Sequence, residues 1–387
     1  MISTFPPCHG GMGFVCYYNS LELARRGHKV TVFTLGHKGL SYMEDAGTFR
    51  VVRLKTPFIY GDGGVVPSLY ARLKGFDVIH LHYPFFGGAE YVYLASLLRD
   101  QPYFLTYHMD VTGNTLLKKL VIGVYEPLLM KKILRRAGMV GALSPGHLKS
   151  SKAGPLVDWD RVVEMPNGVD AVRFCPREKN EELVGKYKLE GKTIVLFIGN
   201  LQPFKGLHVL IEAISGTKDR SIVLLVVGGG YDEGEYRKDV VRRGLEDRII
   251  FAGPRSHSGE LPHYYALGDF LVLPSTHSES FGLVVLEAMS SGIPAIVSSL
   301  PGPSQLIEDG VDGLITKAGD AEDLKEKIEY LAKEHEIRRS MGKAAREKVL
   351  KKYSWEKTGE RLEAVLKEII NSEKLLGTGA RGLGKRL

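Results

Sequence analysis

Residues 275–301 read STHSESFGLVVLEAMSSGIPAIVSSLP. An apolar run, Phe270 to Leu273, precedes them and reads as a buried strand ending at Pro274. Two acids follow, Glu279 and Glu287, with seven residues between them. The apolar residues after Gly282 have helical character, and Gly292–Ile293–Pro294 then leads into another strand. Strand, loop, helix and strand in that order specify a parallel α/β sheet. The chemistry suggested is recognition of a polyol phosphate. A helix starting near Gly282 offers unpaired N–H groups and a positive dipole end to a phosphate. Gly282 allows close approach to the backbone. Carboxylates accept hydrogen bonds and suit vicinal sugar hydroxyls.

At 387 residues the chain is long for one core, and two domains are expected. With 44% hydrophobic and 25% charged residues it has the composition of an ordinary globular protein. No run of eighteen apolar residues occurs, so no membrane-spanning helix is expected. MISTFPP at the start reads as a short strand entering a loop, and that strand looks clipped. Cys8, Cys16 and Cys175 form no CxxC, which argues against a disulfide framework or a zinc site and fits a cytoplasmic protein. Residues 1–170 hold 19 Lys and Arg against 13 Asp and Glu, whereas residues 171–387 hold 33 against 32. The first half therefore favours anionic partners. No basic–aromatic interleaving accompanies the charge, which excludes nucleic acid as the reading. Glutamine occurs only at Gln101, Gln202 and Gln305 beside abundant Lys and Glu, a composition that points to a thermophilic source.

The chain opens with a βαβ unit: a strand at Met1–Phe5, a loop PPCHGGMG, a helix from Phe14 to Arg26, and a strand Lys29–Leu35. Gly10, Gly11 and Gly13 fit a backbone opened toward a ligand at a helix N-terminus. The loop is not GxGxxG, and no acid ends the second strand to hold a ribose, which argues against a dinucleotide dehydrogenase. Strands follow at Phe76–Pro84 and Tyr103–Asp110. His80 and His82 alternate on the first of these and read as core or rim, since no acid or Cys pairs with them. His108 stands at a strand end, where open α/β sheets bind ligands. Leu116 to Arg136 has a long apolar face and six Lys or Arg residues, with Pro127 expected to break or kink it. It is a candidate for peripheral contact with an anionic membrane at its inner face, against the plainer reading of a helix pair with one solvated side. Asp158–Trp159–Asp160 has the DxD form but falls in a connecting loop, and no metal site is assigned.

Residues 171–190 are polar linker and lead-in helix. Buried strands follow at Thr193–Gly199, Ser221–Val227, Arg248–Gly253 and Phe270–Leu273, with helices between. Lys205 just precedes a helix and is a candidate for a phosphate, as a mobile point charge reinforcing the helix end.

The run ESFGLVVLEAMSSGIP, Glu279 to Pro294, closely resembles the signature of glycosyltransferase family 4, retaining enzymes of the GT-B fold. GGMG, Leu23–Thr34 (LARRGHKVTVFT), Pro166–NGV–Asp170 and Pro301–GPSQLIEDGVDGLI are similar to other parts of that family, in the same order, from Gly10 to about Trp355. The resemblance implies two doubly wound Rossmann-like α/β domains facing a cleft. Residues 1–170 would form the acceptor-side domain and 171–353 the nucleotide-sugar domain. A helix over 354–371 would cross back onto the first domain, with a disordered tail at 372–387.

It further implies transfer of a hexosyl unit from a UDP- or GDP-linked sugar to an acceptor hydroxyl, saccharide or lipid-linked, with retention and without a metal or other cofactor. By resemblance Glu287 holds the ribose diol, and Gly11 lies on the loop that faces the donor phosphates. Asn200, Lys205 and the N–H groups of Phe281, Gly282 and Leu283, with Ser280 beside them, hold the diphosphate. Arg255 lies near the base, and Glu279 and His108 address the transferred sugar. The family usually has Arg where this chain has Asn200, and Asn carries no charge. That departure is the one feature favouring a catalytically silent nucleotide-sugar-binding protein. An epimerase and a glycosidase carboxylate pair are disfavoured, the first by the signature and the second because nothing marks a carboxyl with a raised pKa.

Overall fold

A computed structural model of the chain describes residues 1–7, 11–37, 39–61, 63–111, 122–257 and 259–382. It divides into two compact units, Met1–Asn167 with Trp355–Leu387, and Gly168–Ser354. The division falls slightly before the expected one because the Val169 N–H bonds the carbonyl of Tyr353 at 2.8 Å, and Val169 pairs with Ser354.

In the first unit, Thr31–Leu35 (β1), Met43–Asp45 (β2) and Arg50–Leu54 (β3) form a sheet in the order β1-β3-β2. Ile59–Tyr60 (β4) and Gly63–Gly64 (β5) make a small hairpin. Ile79–Tyr83 (β6), Tyr103–Tyr107 (β7), Met139–Ala142 (β8) and Val162–Glu164 (β9) form a parallel sheet in chain order. Residues 1–5, expected as a strand, have no regular assignment, yet residues 1–3 lie between these two sheets. The Ile2 N–H bonds Phe33 at 3.1 Å and Leu35 bonds Ser3 at 3.3 Å. On the other side the Met1 amino nitrogen donates to His80 at 2.8 Å, and His82 donates to Met1 at 2.9 Å. A short extended segment with partners on both edges thus joins the sheets.

The Gly11–Arg25 helix begins three residues earlier than the sequence pattern suggested. Residues 8–10, with Cys8 and Gly10, lie outside the described residues, as do residues 112–121, the start of the basic amphipathic segment. The described remainder of that segment is helical from residue 122, opens into a π turn at Glu126–Met130, and resumes as the Lys131–Arg136 helix. Pro127 accounts for the wide turn, because its nitrogen has no hydrogen to give and its ring displaces the preceding carbonyl.

The second unit holds Thr193–Ile198 (β10), Ile222–Val227 (β11), Ile249–Gly253 (β12), Phe270–Leu273 (β13), Ala295–Ser298 (β14) and Gly313–Thr316 (β15). They pair in parallel as β12-β11-β10-β13-β14-β15. β11, β13 and β14 are buried throughout, as the unbroken apolar runs require when helices cover both faces. Strand order reverses between β10 and β13, so the loops leaving these two neighbours diverge and open a crevice at their carboxyl ends.

The last helix, Trp355–Gly382, packs on the first unit. Trp355 stacks on Tyr18 at 4.7 Å, and Leu362, Leu366 and Ile369 join Leu23, Phe104 and Met165 in one core. The helix continues past residue 371, where an ordered stretch was expected to end. Once nucleated, extension over SEKLL costs little. Residues 383–387 of the expected tail lie outside the described residues.

Candidate functional site

The crevice between β10 and β13 gathers most of the candidate residues. Gly282, at φ +92°, turns the chain into the Leu283–Ser290 helix. No side chain caps that helix and its first turn has no acid, so its positive end faces the loop uncompensated. Phe281 beside it is buried at 2% exposure and anchors the turn. Ser280 and Leu283 are half-buried.

Lys205 closes a short 3-10 turn, Pro203–Lys205, after β10. Gly206 follows at φ +74°, and a Cβ there would stand 2.0 Å from the carbonyl oxygen of Pro274. Only glycine therefore lets this turn lie against the end of β13. The Thr276 N–H bonds the carbonyl of Phe204 at 2.8 Å and fastens the two loops together. Their docking brings Lys205 Nζ to 2.5 Å from Glu279 Oε2, which also accepts from Ser275 Oγ at 3.2 Å. Glu279 keeps 9% of its side-chain surface and Lys205 20%. From below, Gly302 supports Glu279: a Cβ there would fall 2.1 Å from the Glu279 carbonyl oxygen. The two charges thus meet at the positive end of the Leu283–Ser290 helix.

Asn200 is exposed just after β10, beside Gly199. A Cβ on Gly228 would stand 1.9 Å from the Gly199 carbonyl, so the loops after β10 and β11 touch through backbone alone. Glu287 lies one turn into the helix with 7% of its side chain exposed. His257 Nε2 lies 2.8 Å from its Oε1, and the Tyr265 hydroxyl donates to its Oε2 at 2.6 Å. Phe174 packs against both partners, at 5.4 Å from the His257 ring and 5.5 Å from Tyr265. Burial, with the Glu287 charge beside it, pushes the Tyr265 hydroxyl well above its ordinary range, so it stays a donor. Each carboxylate oxygen retains lone-pair capacity for a further donor. Arg255 lies over the Tyr264 ring at 5.2 Å and donates to the Tyr187 hydroxyl at 3.2 Å and to the carbonyl of Ala252.

Sequence reasoning missed His257, Tyr265 and Phe174 as partners of Glu287. A lone histidine in a loop and one tyrosine of a pair carry no spacing that points at a carboxylate in a later helix. Gly11 and His108 belong to the first unit. Gly11 is the exposed first residue of its helix. His108, one residue past β7, is buried at 3% exposure, and its backbone N–H bonds Tyr83 at 2.9 Å. Its Nε2 lies 2.8 Å from Nδ1 of His82. Burial lowers the His108 ring to about 3, and holds His80 and His82 well below their ordinary range.

Asp158 of the DxD tripeptide caps the Trp159–Arg161 turn by accepting from the Asp160 N–H at 3.2 Å, a structural role. Among the described residues no group of three His, Cys, Asp or Glu could hold a metal ion, and no helix is long and apolar enough to cross a membrane. In the basic segment, Arg136 is tied to Ser96 and Asp100 and Arg135 to the carbonyl of Leu156, so two of its six charges are engaged within the unit.

The family model described as glycosyltransferase family 4 matches residues 9–173, and that described as glycosyl transferases group 1 matches residues 179–348. The chain is 27% identical to the D-inositol 3-phosphate glycosyltransferase of Nocardia farcinica, over 96% of this chain and 88% of that one. It is 28% identical to the phosphatidyl-myo-inositol mannosyltransferase of Mycobacterium leprae, over 79% of each. Among solved structures it superposes on sucrose-phosphate synthase from Thermosynechococcus elongatus with a TM-score of 0.77 and 24% identity, covering 96% of this chain and 98% of that one.

Proposed function

Since the chain belongs to glycosyltransferase family 4 and is a GT-B glycosyltransferase that uses nucleotide sugars, we propose that it moves a hexosyl unit from a UDP- or GDP-linked donor to an acceptor hydroxyl with retention. The observation that carries this reading is the Lys205–Glu279 pair at the uncapped end of the Leu283–Ser290 helix, with Glu287 one turn further on. A diphosphate placed against that helix end takes Lys205 as its counter-charge. Glu279 then loses its cation and becomes an acceptor for hydroxyls of the transferred sugar. The ribose diol meets Glu287, already held by His257 and Tyr265. As the glycosidic bond breaks, negative charge grows on the leaving diphosphate. Fixed N–H dipoles and the ammonium of Lys205 stabilise it without reorganising. The reading assigns this task to Lys205 and the helix end rather than to a metal ion.

By the family resemblance His108 is also assigned to the transferred sugar. For the acceptor, the names of the two relatives point to inositol-bearing phosphates, one free and one lipid-linked. The basic excess of residues 1–170 suits such an anionic acceptor.

A melting screen with UDP, GDP, ADP and their hexose conjugates tests the donor class, because a ligand selective for the folded state raises Tm. A rise confined to UDP or GDP compounds is expected, followed by an α-linked product from an α-linked donor in NMR. No shift with any nucleotide would sink the proposal, and an inverted anomer would remove retention.

A further inference from the structure

Glu287 is held on both of its oxygens by residues that come before β13 in the chain. Tyr265, in the Leu261–Leu267 helix, is 0% exposed and donates from its hydroxyl to Oε2 at 2.6 Å. The same hydroxyl lies 3.3 Å from the carbonyl oxygen of Val284. It has one hydrogen, and the nearer, charged oxygen takes it. His257 Nε2 lies 2.8 Å from the other oxygen, Oε1, and keeps 25% of its side chain exposed. Tyr265 is the fixed support of the two, since it has no exposed surface into which to turn. Phe174 locks it in place. The two rings meet edge-on at 5.5 Å, with an interplanar angle of 89°. The Phe174 carbonyl in turn accepts from Ser290 Oγ at 2.6 Å, on the same helix as Glu287.

The terminal torsion of a glutamate is broad and roughly two-fold, so a free carboxylate samples many planes. Two donors on its two oxygens select one. A vicinal diol that meets both oxygens binds only when that plane is right, and a plane fixed beforehand removes the cost of fixing it on binding. Only 7% of the Glu287 side chain is exposed, and a ligand must reach it through that narrow face. A nucleoside that lacks one hydroxyl leaves a carboxylate oxygen a donor short. A carboxylate held in place cannot turn to recover the loss.

We infer that Tyr265 is a positioning residue for Glu287: by donating to Oε2 it holds the carboxylate in the plane that accepts both hydroxyls of a ribose, and it thereby sets a preference for ribonucleotides over 2′-deoxyribonucleotides. The inference rests on the proposed contact between Glu287 and the ribose. Glu287, Tyr265, His257 and Phe174 all belong to the second unit.

The test titrates the full-length protein with UDP, GDP and their 2′-deoxy forms by calorimetry. The wild type is expected to bind the ribonucleotide about tenfold or more tighter than its 2′-deoxy form, the worth of one hydrogen bond to a charged group. Tyr265→Phe should weaken the ribonucleotide about tenfold and the 2′-deoxy form by less than about threefold, so that the preference nearly disappears. A thermal melt establishes that the variant is folded. A tyrosine that merely fills space would leave the ratio untouched, so equal losses for both nucleotides, or none for either, would overturn the inference. Should Tyr265→Phe not fold, Phe174→Leu loosens the packing on Tyr265 and should narrow the preference in part. A wild-type ratio in that variant would overturn the inference as well. Other outcomes fall on the ribose contact itself. No binding of either nucleotide, equal affinity of the wild type for both sugars, or a preference intact in Glu287→Ala would remove that contact and the inference with it.

Discussion

Lys205 and Glu279 neutralise one another at 2.5 Å, so each is held ready by the other until a ligand intervenes. Their removal should have different signatures. Lys205→Ala takes away a cation from the diphosphate and should weaken UDP or GDP binding about 10- to 100-fold, the range for a charge-assisted hydrogen bond. Calorimetric titration checks this, and unchanged affinity would remove the phosphate role. Glu279→Ala should leave nucleotide affinity within a few-fold while lowering kcat by about 100-fold, since its role concerns the sugar. A turnover near normal would refute that role. At this scale the sequence marked candidate residues, among them Lys205 and Glu279, which the structure pairs, and said less about what the others touch. E-S-F-G and the second acid, with seven residues between the two, placed Glu279 before a helix and Glu287 inside it without any coordinates. That Glu287 is clasped by His257 and Tyr265, residues from a loop and a helix before β13, depends on how strands β12 and β13 are ordered in the sheet. No local spacing records that order.

Among elements, the loops after β10 and β13 act as one body because glycine permits it. Gly206 holds φ +74° with its Cα against Pro274, and Gly302 sits under the Glu279 carbonyl. Gly206→Ala adds both left-handed strain and a backbone collision, and should cost about 2–4 kcal/mol from these two sources together. It should also lower nucleotide affinity by moving Lys205. Denaturant melts and nucleotide titration would check both effects, and a variant as stable as the wild type would show that the loop is free to shift. Alternation of apolar runs with turn residues was enough to place the strands of the second unit. The first three residues were harder to place, because a segment that short gains its role from bonds to Phe33, Leu35, His80 and His82 rather than from its own pattern. The π turn at Pro127 was legible as a break, though not as a widened turn that lets the helix resume.

Across the whole molecule the two units differ in what acid does to them. In the first, burial depresses His80, His82 and His108, and His108 to about 3. Unfolded, such rings titrate near 6.5. Between that value and the folded one the unfolded chain binds more protons, so stability falls as pH drops below about 6.5. The loss approaches about 1.4 kcal/mol per pH unit for each ring. Calorimetry from pH 7 to pH 4.5 should show the transition of the first unit moving down ahead of that of the second, and His80→Phe or His82→Phe should flatten its pH dependence. Transitions that move together with no dependence on these histidines would contradict the account. The arrangement as a pair of doubly wound units was readable from the repeated strand–helix alternation and the polar stretch between. The return of the final helix to the first unit came from family resemblance alone, since an amphipathic helix does not announce which surface will cover it.

That return has a consequence for how the protein comes into being. The first unit is written in two pieces, residues 1–167 and 355–387, with the whole second unit between them. During synthesis Leu23, Phe104 and Met165 emerge long before Leu362, Leu366 and Ile369, with which they share a core. Every residue of the second unit has left the ribosome before that core can close. A nascent chain therefore holds an apolar face of its first half open while the second unit is translated, and a segment made only after that unit is the one that covers it.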